Sequence, residues 1–157
     1  MIAPDELMQL AIAKCREGIA QGQTPFGCAI ALGDRVLAVE HNRVLLSTDI
    51  TAHAEMTALR AACRELGDIH LHSALVATTC EPCPMCLAAL HWARVGRVYY
   101  GAGIADAQAA GFNELPIAAT DMVRLGGSRL ELHSGMLTDD CRQLFADWAG
   151  RPGHRAY

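Results

Sequence analysis

The chain has 157 residues, 52% of them hydrophobic and 19% charged, with a net charge of −4 and seven cysteines. That length suits a single domain with a sizeable core, and the composition excludes a disordered or fibrous chain. The acidic balance argues against a protein whose affinity rests on neutralising phosphates, and no apolar run approaches membrane-spanning length. An odd cysteine count behind a start such as Met1-Ile2-Ala3-Pro4-Asp5-Glu6, which lacks a basic segment followed by an apolar run, leads us to expect reduced thiols in a cytoplasm.

Residues 4–21 read as a helix, opened by Pro4 with Asp5 and Glu6 in the first turn and closed by Gly22. Its apolar stripe is Leu7, Leu10, Ala11, Cys15 and Ile19. Residues 26–32 and 35–40 are two strands across Gly33-Asp34, a hairpin signal. A loop over 41–49 leads to a helix over 52–66, stopped by Gly67. An apolar strand over 73–79 precedes a helix over 83–93 and another strand over 97–101, an alternation that implies parallel pairing. Beyond this come one helical turn over 105–110, an apolar loop over 111–116 and a short strand over 129–136. A final helix starts at Thr138, as its cap, and carries Cys141, Leu144, Phe145 and Trp148 at helical spacing. The tail 151–157 has no pattern of its own, and composition predicts that it frays.

Two short motifs carry the chemistry: Thr51-Ala52-His53-Ala54-Glu55, and Thr79-Cys80-Glu81-Pro82-Cys83-Pro84-Met85-Cys86. His53, Cys83 and Cys86 are the ligand types zinc prefers, and three of them leave the fourth position open for water, as catalytic sites do. Cys83 and Cys86 fall on one side of a helical first turn, whose N-terminus also lowers thiol pKa. Glu55 lies two residues beyond His53, within reach of that water. The H-x-E…P-C-x-x-C pattern is the signature of zinc deaminases acting on nucleobases. Cys80 could close a four-ligand structural site with the other three. Glu55 would then have no role, and Pro82 would set Cys80 on the far side of the turn, so Cys80 reads as a buried cysteine at a strand end.

The sequence resembles the cytidine-deaminase superfamily, and within it the small bacterial guanine deaminases. The resemblance rests on Pro25-Phe26-Gly27, Asn42, the two metal motifs, Trp92-Ala93-Arg94, Ala110-Gly111-Phe112 with Glu114, and Tyr157, which together span nearly the full chain. It implies an α/β fold, a three-layer α/β/α sandwich on a five-stranded mixed sheet, forming one domain over 1–157. One Zn2+ per chain would be held by His53, Cys83 and Cys86, with Glu55 shuttling protons. Asn42 would bond the base, Phe26 and Trp92 would line its pocket, and the backbone N–H groups of Ala54 and Cys83 would hold an oxygen. Glu114 would grip the purine edge or share in proton transfer, and Tyr157 would close the site. In some relatives that tyrosine comes from the partner of a swapped homodimer. Asn113 stands where relatives often carry Asp. The implied reaction is hydrolysis of guanine to xanthine and ammonia.

Taken singly, several of these residues have plainer readings. Asn42 could cap a turn, Phe26 and Trp92 could be packing aromatics, Glu114 a solvated acid and Tyr157 a frayed end. Three other functions compete. Another small base or nucleoside, such as cytosine, guanosine or a triazine, would need the same zinc chemistry and a different pocket. A tRNA adenosine deaminase should show a basic face, whereas the last helix holds Asp139, Asp140 and Asp147 against Arg142. A structural zinc module would leave Glu55 idle.

Overall fold

The computed structural model describes residues 1–157. Helix α1 (Pro4–Ala20) leads into the hairpin of β1 (Gly27–Leu32) and β2 (Arg35–His41), followed by a single helical turn, α2 (Val44–Ser47). Then come α3 (Ala54–Leu66), β3 (Leu75–Cys80), α4 (Pro84–Trp92) and β4 (Arg97–Ala102). The chain closes with α5 (Ile104–Ala109), α6 (Ala119–Gly126), β5 (Glu131–His133) and α7 (Thr138–Ala149). The five strands form one sheet in the order β2-β1-β3-β4-β5. The β1 strand pairs antiparallel with both β2 and β3, while β3–β4 and β4–β5 are parallel, so the sheet is mixed.

Strand alternation divides the core into two layers. Ala29, Ala31, Leu75 and Ala77 face α1 and α7, where they meet Leu7, Ala11, Leu144 and Trp148. Cys28, Ile30, Val76 and Val98 face the other side, against Ala54, Ala58, Leu87 and Leu90 of α3 and α4. The small residues toward α1 let that helix lie close: a Cβ at Gly27 would run into the Ala11 carbonyl. This is the three-layer α/β/α sandwich that the resemblance implied.

Several boundaries differ from the sequence reading. The segment 41–49 is not all loop, because the buried Asn42 Oδ1 accepts the Val44 N–H at 3.0 Å and starts α2. Residues 119–126 form a helix that the sequence reading did not assign; it is eight residues long, and its apolar stripe is only Ala119, Met122 and Val123. The strand expected over 129–136 shrinks to three residues at the sheet edge, ended before Gly135 with its positive φ of 84°. Thr138 is not the cap of α7: Leu137 occupies that position with φ 50°, and the Thr138 hydroxyl instead donates to the Gly101 carbonyl at 3.2 Å. No helix is long and apolar enough to cross a membrane, and none of the seven cysteines is paired in a disulfide.

Candidate metal centre and active site

His53 and Cys83 are the N-cap residues of α3 and α4, one position outside the helices that the sequence reading had carry them. Both caps are extended, with φ −61° and −65°. Cys86 lies in the first turn of α4. The His53 Nδ1 is 3.6 Å from the Sγ of Cys83 and 3.6 Å from that of Cys86, and the three ligand atoms lie within 4.8 Å of one another. Tetrahedral zinc, with Zn–S of about 2.3 Å and Zn–N of about 2.0–2.1 Å, separates such nitrogen and sulfur atoms by about 3.6 Å. The donor set and its spacing therefore fit zinc. Cys80 stands apart at the end of β3, where its thiol donates to the Gly103 carbonyl at 3.5 Å, so three ligands converge and not four.

The two cysteine thiols titrate as a pair. A hydrogen bond from Cys86 holds Cys83 down to about 4, and the same bond together with burial pushes Cys86 up. Burial works against the imidazolium of His53, but the hydrogen bond with Cys83 and the nearby Glu55 carboxylate outweigh it and raise the pKa.

Glu55 is 6% exposed and lies against this cluster. Its Oε1 accepts the Thr78 hydroxyl at 3.0 Å, and its Oε2 faces the Cys86 thiol at 3.5 Å. Burial, then the charge on Cys83, raises its pKa. An inner space of about 20 Å³, bounded by His53, Glu55, Cys83 and Phe26, has room for about one water molecule. It adjoins an open cleft of about 270 Å³ walled by His53, Cys83, Asn113, Glu114 and Tyr157. The backbone N–H groups of Ala54 and Cys83, both at helix starts, donate to no acceptor in the chain. Helix N-termini offer such groups to an oxygen or anion.

The tail does not fray. The Tyr157 hydroxyl accepts the Asn42 Nδ2 at 2.6 Å, and the Asn113 N–H donates to the Tyr157 carbonyl at 3.0 Å. The Tyr157 ring lies 5.2 Å from Phe112, edge to face, and 5.5 Å from His53. Further back, Arg151 donates to the Ala20 carbonyl at 3.1 Å, and His154 packs edge to face on Trp148 at 4.8 Å. Phe26 borders the inner space and holds Phe112 edge to face at 5.0 Å. Burial raises the pKa of Glu114, and the nearby Cys83 adds to it.

Two residues the sequence brought forward stand off the site: Asn42 is fully buried, borders neither the inner space nor the cleft, and reaches them only through its bond to Tyr157, and Trp92 lies farther away. Trp92 is 73% exposed and borders neither the inner space nor the cleft. Its place explains this: it ends α4, six residues beyond Cys86, about 9 Å along the axis. Residues that the sequence reading gave no role also enter the site: Ile50, Met85 and Leu115 wall the cleft, Thr78 acts through Glu55, and Glu81 borders the inner space. The Glu81 carboxylate accepts the N–H groups of Ile104 at 3.1 Å and Ala119 at 2.9 Å, so it ties together the starts of α5 and α6. A buried threonine in an apolar strand and an acid inside the motif were the available signals.

Three converging zinc-type ligands at two helix starts, with a buried carboxylate against them, fit a zinc-dependent hydrolytic deaminase. Residues 1–102 match the model of the cytidine and deoxycytidylate deaminase zinc-binding region, and the chain belongs to that family. It is 42% identical over 111 residues to the guanine deaminase of Bacillus subtilis (strain 168), covering 70% of this chain and 71% of that protein. It is also 42% identical over 95 residues to a tRNA-specific adenosine deaminase of Agrobacterium fabrum, covering 60% and 62%. The solved structure of guanine deaminase from Nitrosomonas europaea superposes with a TM-score of 0.88 at 27% identity, over 96% of this chain and 87% of that one.

Proposed function

We propose that the chain, working as one domain, hydrolyses guanine to xanthine and ammonia. The observation that carries this reading is the convergence of Glu114 and Tyr157 on the cleft beside His53 and Cys83. The likeness to two guanine deaminases supports it. The cleft, at about 270 Å³, lies just under the usual 300–1,000 Å³ of small-ligand pockets, which suits one base better than a nucleotide.

His53, Cys83 and Cys86 would hold the zinc, which when bound would supply a Lewis acid that makes water a nucleophile near neutral pH. Glu55 takes one proton of the attacking water at Oε2 and passes it to a ring nitrogen of the base; it then carries the proton of the added hydroxyl to the amine, which leaves as ammonia as the carbonyl forms. The free N–H groups of Ala54 and Cys83 hold the oxygen on which charge develops. Asn42 and Tyr157, already bonded to each other, hold the base edge, while Phe26 packs beside it. Glu114 receives the purine N–H groups. With Tyr157 over the cleft, water is kept from the reacting atoms, which strengthens each of these contacts.

The similarity to a tRNA deaminase brings one rival reading. A net charge of −4 and the acids Asp139, Asp140 and Asp147 along α7 weigh against a tRNA-binding face. Ammonia release should be measured across guanine, guanosine, cytosine, adenine and isocytosine, with a tRNA anticodon stem-loop as a separate arm. Guanine should be the fastest substrate. Deamination of the stem-loop with guanine untouched would overturn the assignment.

We also propose a cytoplasmic homodimer. The support is the resemblance together with an exposed apolar surface where Trp92 and Ile69 meet Met56 and Leu59 between α3 and α4. Light scattering at micromolar concentration should give twice the 16.8 kDa chain mass, and a monomer would refute the pairing.

A further inference from the structure

We infer that Thr78 is a positioning residue that sets which oxygen of Glu55 works as the proton carrier; this rests on the deaminase reading but not on guanine as substrate. Position 78 shares the strand parity of Val76, so its side chain leaves β3 on the α3 side, where Ala54 and Ala58 pack. There the Thr78 hydroxyl, 1% exposed, donates to Glu55 Oε1 at 3.0 Å, and that is its one hydrogen bond. Its neighbour Thr79 faces the other way and accepts the Gly27 N–H at 3.0 Å. The two tandem threonines thus serve different elements.

A carboxylate can rotate and exchange its two oxygens unless one is held. Thr78 holds Oε1 from the sheet side, so Oε2 is the oxygen turned toward Cys86, 3.5 Å from its sulfur. A Glu held in this way presents one fixed acceptor to the inner space. Without the hydroxyl, a buried carboxylate keeps its desolvation cost and loses a charge-assisted donor. It then turns to find another, and the acceptor leaves its position. Shifts of this size at a proton carrier fall on the chemical step more than on ground-state binding.

Thr78→Val keeps the shape and removes the hydroxyl, and Thr78→Ser keeps the hydroxyl. For the base that wild type deaminates fastest, the Val variant should lose about tenfold to a hundredfold in kcat, with KM within about twofold. The Ser variant should stay within about threefold of wild type. Both should retain about one zinc per chain. In a Glu55→Gln background, adding Thr78→Val should cost no further activity, because the group it positions is already gone. A crystal structure of zinc-loaded Thr78→Val should show the Glu55 carboxylate rotated, with Oε2 off the inner space.

Wild-type kcat in zinc-replete Thr78→Val, or an unmoved Glu55 in its crystal structure, would overturn the inference. So would equal damage from Val and Ser, with zinc lost in both, which marks a purely structural residue. If the Val variant does not fold, Thr78→Ala takes its place in every arm. If wild type deaminates no base, the deaminase reading fails and the crystal structure alone decides whether Thr78 orients Glu55.

Discussion

Replacing Glu81 with Gln tests how the second half of the site is held. The Glu81 carboxylate receives the first N–H of α5 at 3.1 Å and the first N–H of α6 at 2.9 Å. The α6 start has no side-chain cap of its own, and the connection between the two helices carries Glu114. Gln has nearly the same size, yet its amide accepts one N–H and turns a donor toward the other. Hydrogen bonds to a charged group contribute about 1.5–3 kcal/mol each, and a carboxylate at a helix start about 0.3–1 kcal/mol more. One neutral bond of about 1 kcal/mol survives, and Glu81 is only half-buried, so the expected net loss is about 2–3 kcal/mol. For a chain of this length, that corresponds to a Tm lower by about 4–12 °C. Urea unfolding followed by circular dichroism should show a lower midpoint at an unchanged slope. Guanine turnover should fall as the Glu114 loop loosens, with zinc content constant, since no ligand is touched. An unfolding free energy within about 0.5 kcal/mol of wild type would refute the assigned role.

Elemental analysis should find about one zinc per chain in wild type and in Cys80→Ala, and almost none in Cys83→Ala or Cys86→Ala; loss from the Cys80 variant would restore the four-ligand site. Tyr157→Ala removes the Asn42 hydrogen bond and the Phe112 ring contact. It should lower kcat/KM for guanine by about tenfold or more while zinc stays bound, and normal turnover would show that the tail does not cover the base. Burial pushes the Cys141 thiol up to about 12, so at pH 8 only about one part in ten thousand is thiolate. Because that pKa is raised, reactivity should appear only on unfolding: mass spectrometry after iodoacetamide treatment should find Cys141 unlabelled in native protein and labelled in urea.

The metal centre was legible because its geometry is local. His53 and Glu55, and Cys83 and Cys86, sit at spacings that two helix starts convert directly into converging side chains. The long amphipathic segments α1 and α7 were legible for the same reason, although in α1 the expected Leu10 is exposed and Met8 and Ile12 are buried instead. The failures have equally plain causes. Helix α6 carries its stripe in only Ala119, Met122 and Val123, at i, i+3 and i+4, too short a run for the sequence reading to pick out. In α4 the apolar residues run around the helix, so composition could not say that Trp92 faces solvent while Leu87 and Leu90 face the core. Only the tertiary structure brought Asn42 to Tyr157 across 115 positions, Glu81 to Ala119 across 38, and Thr78 to Glu55 across 23. Those pairs are set by the strand order β2-β1-β3-β4-β5 and by which face of β3 each residue leaves. A sequence fixes the spacing of neighbours along a helix or strand, whereas contacts between distant segments arise only once the whole sheet has closed and its two faces are buried.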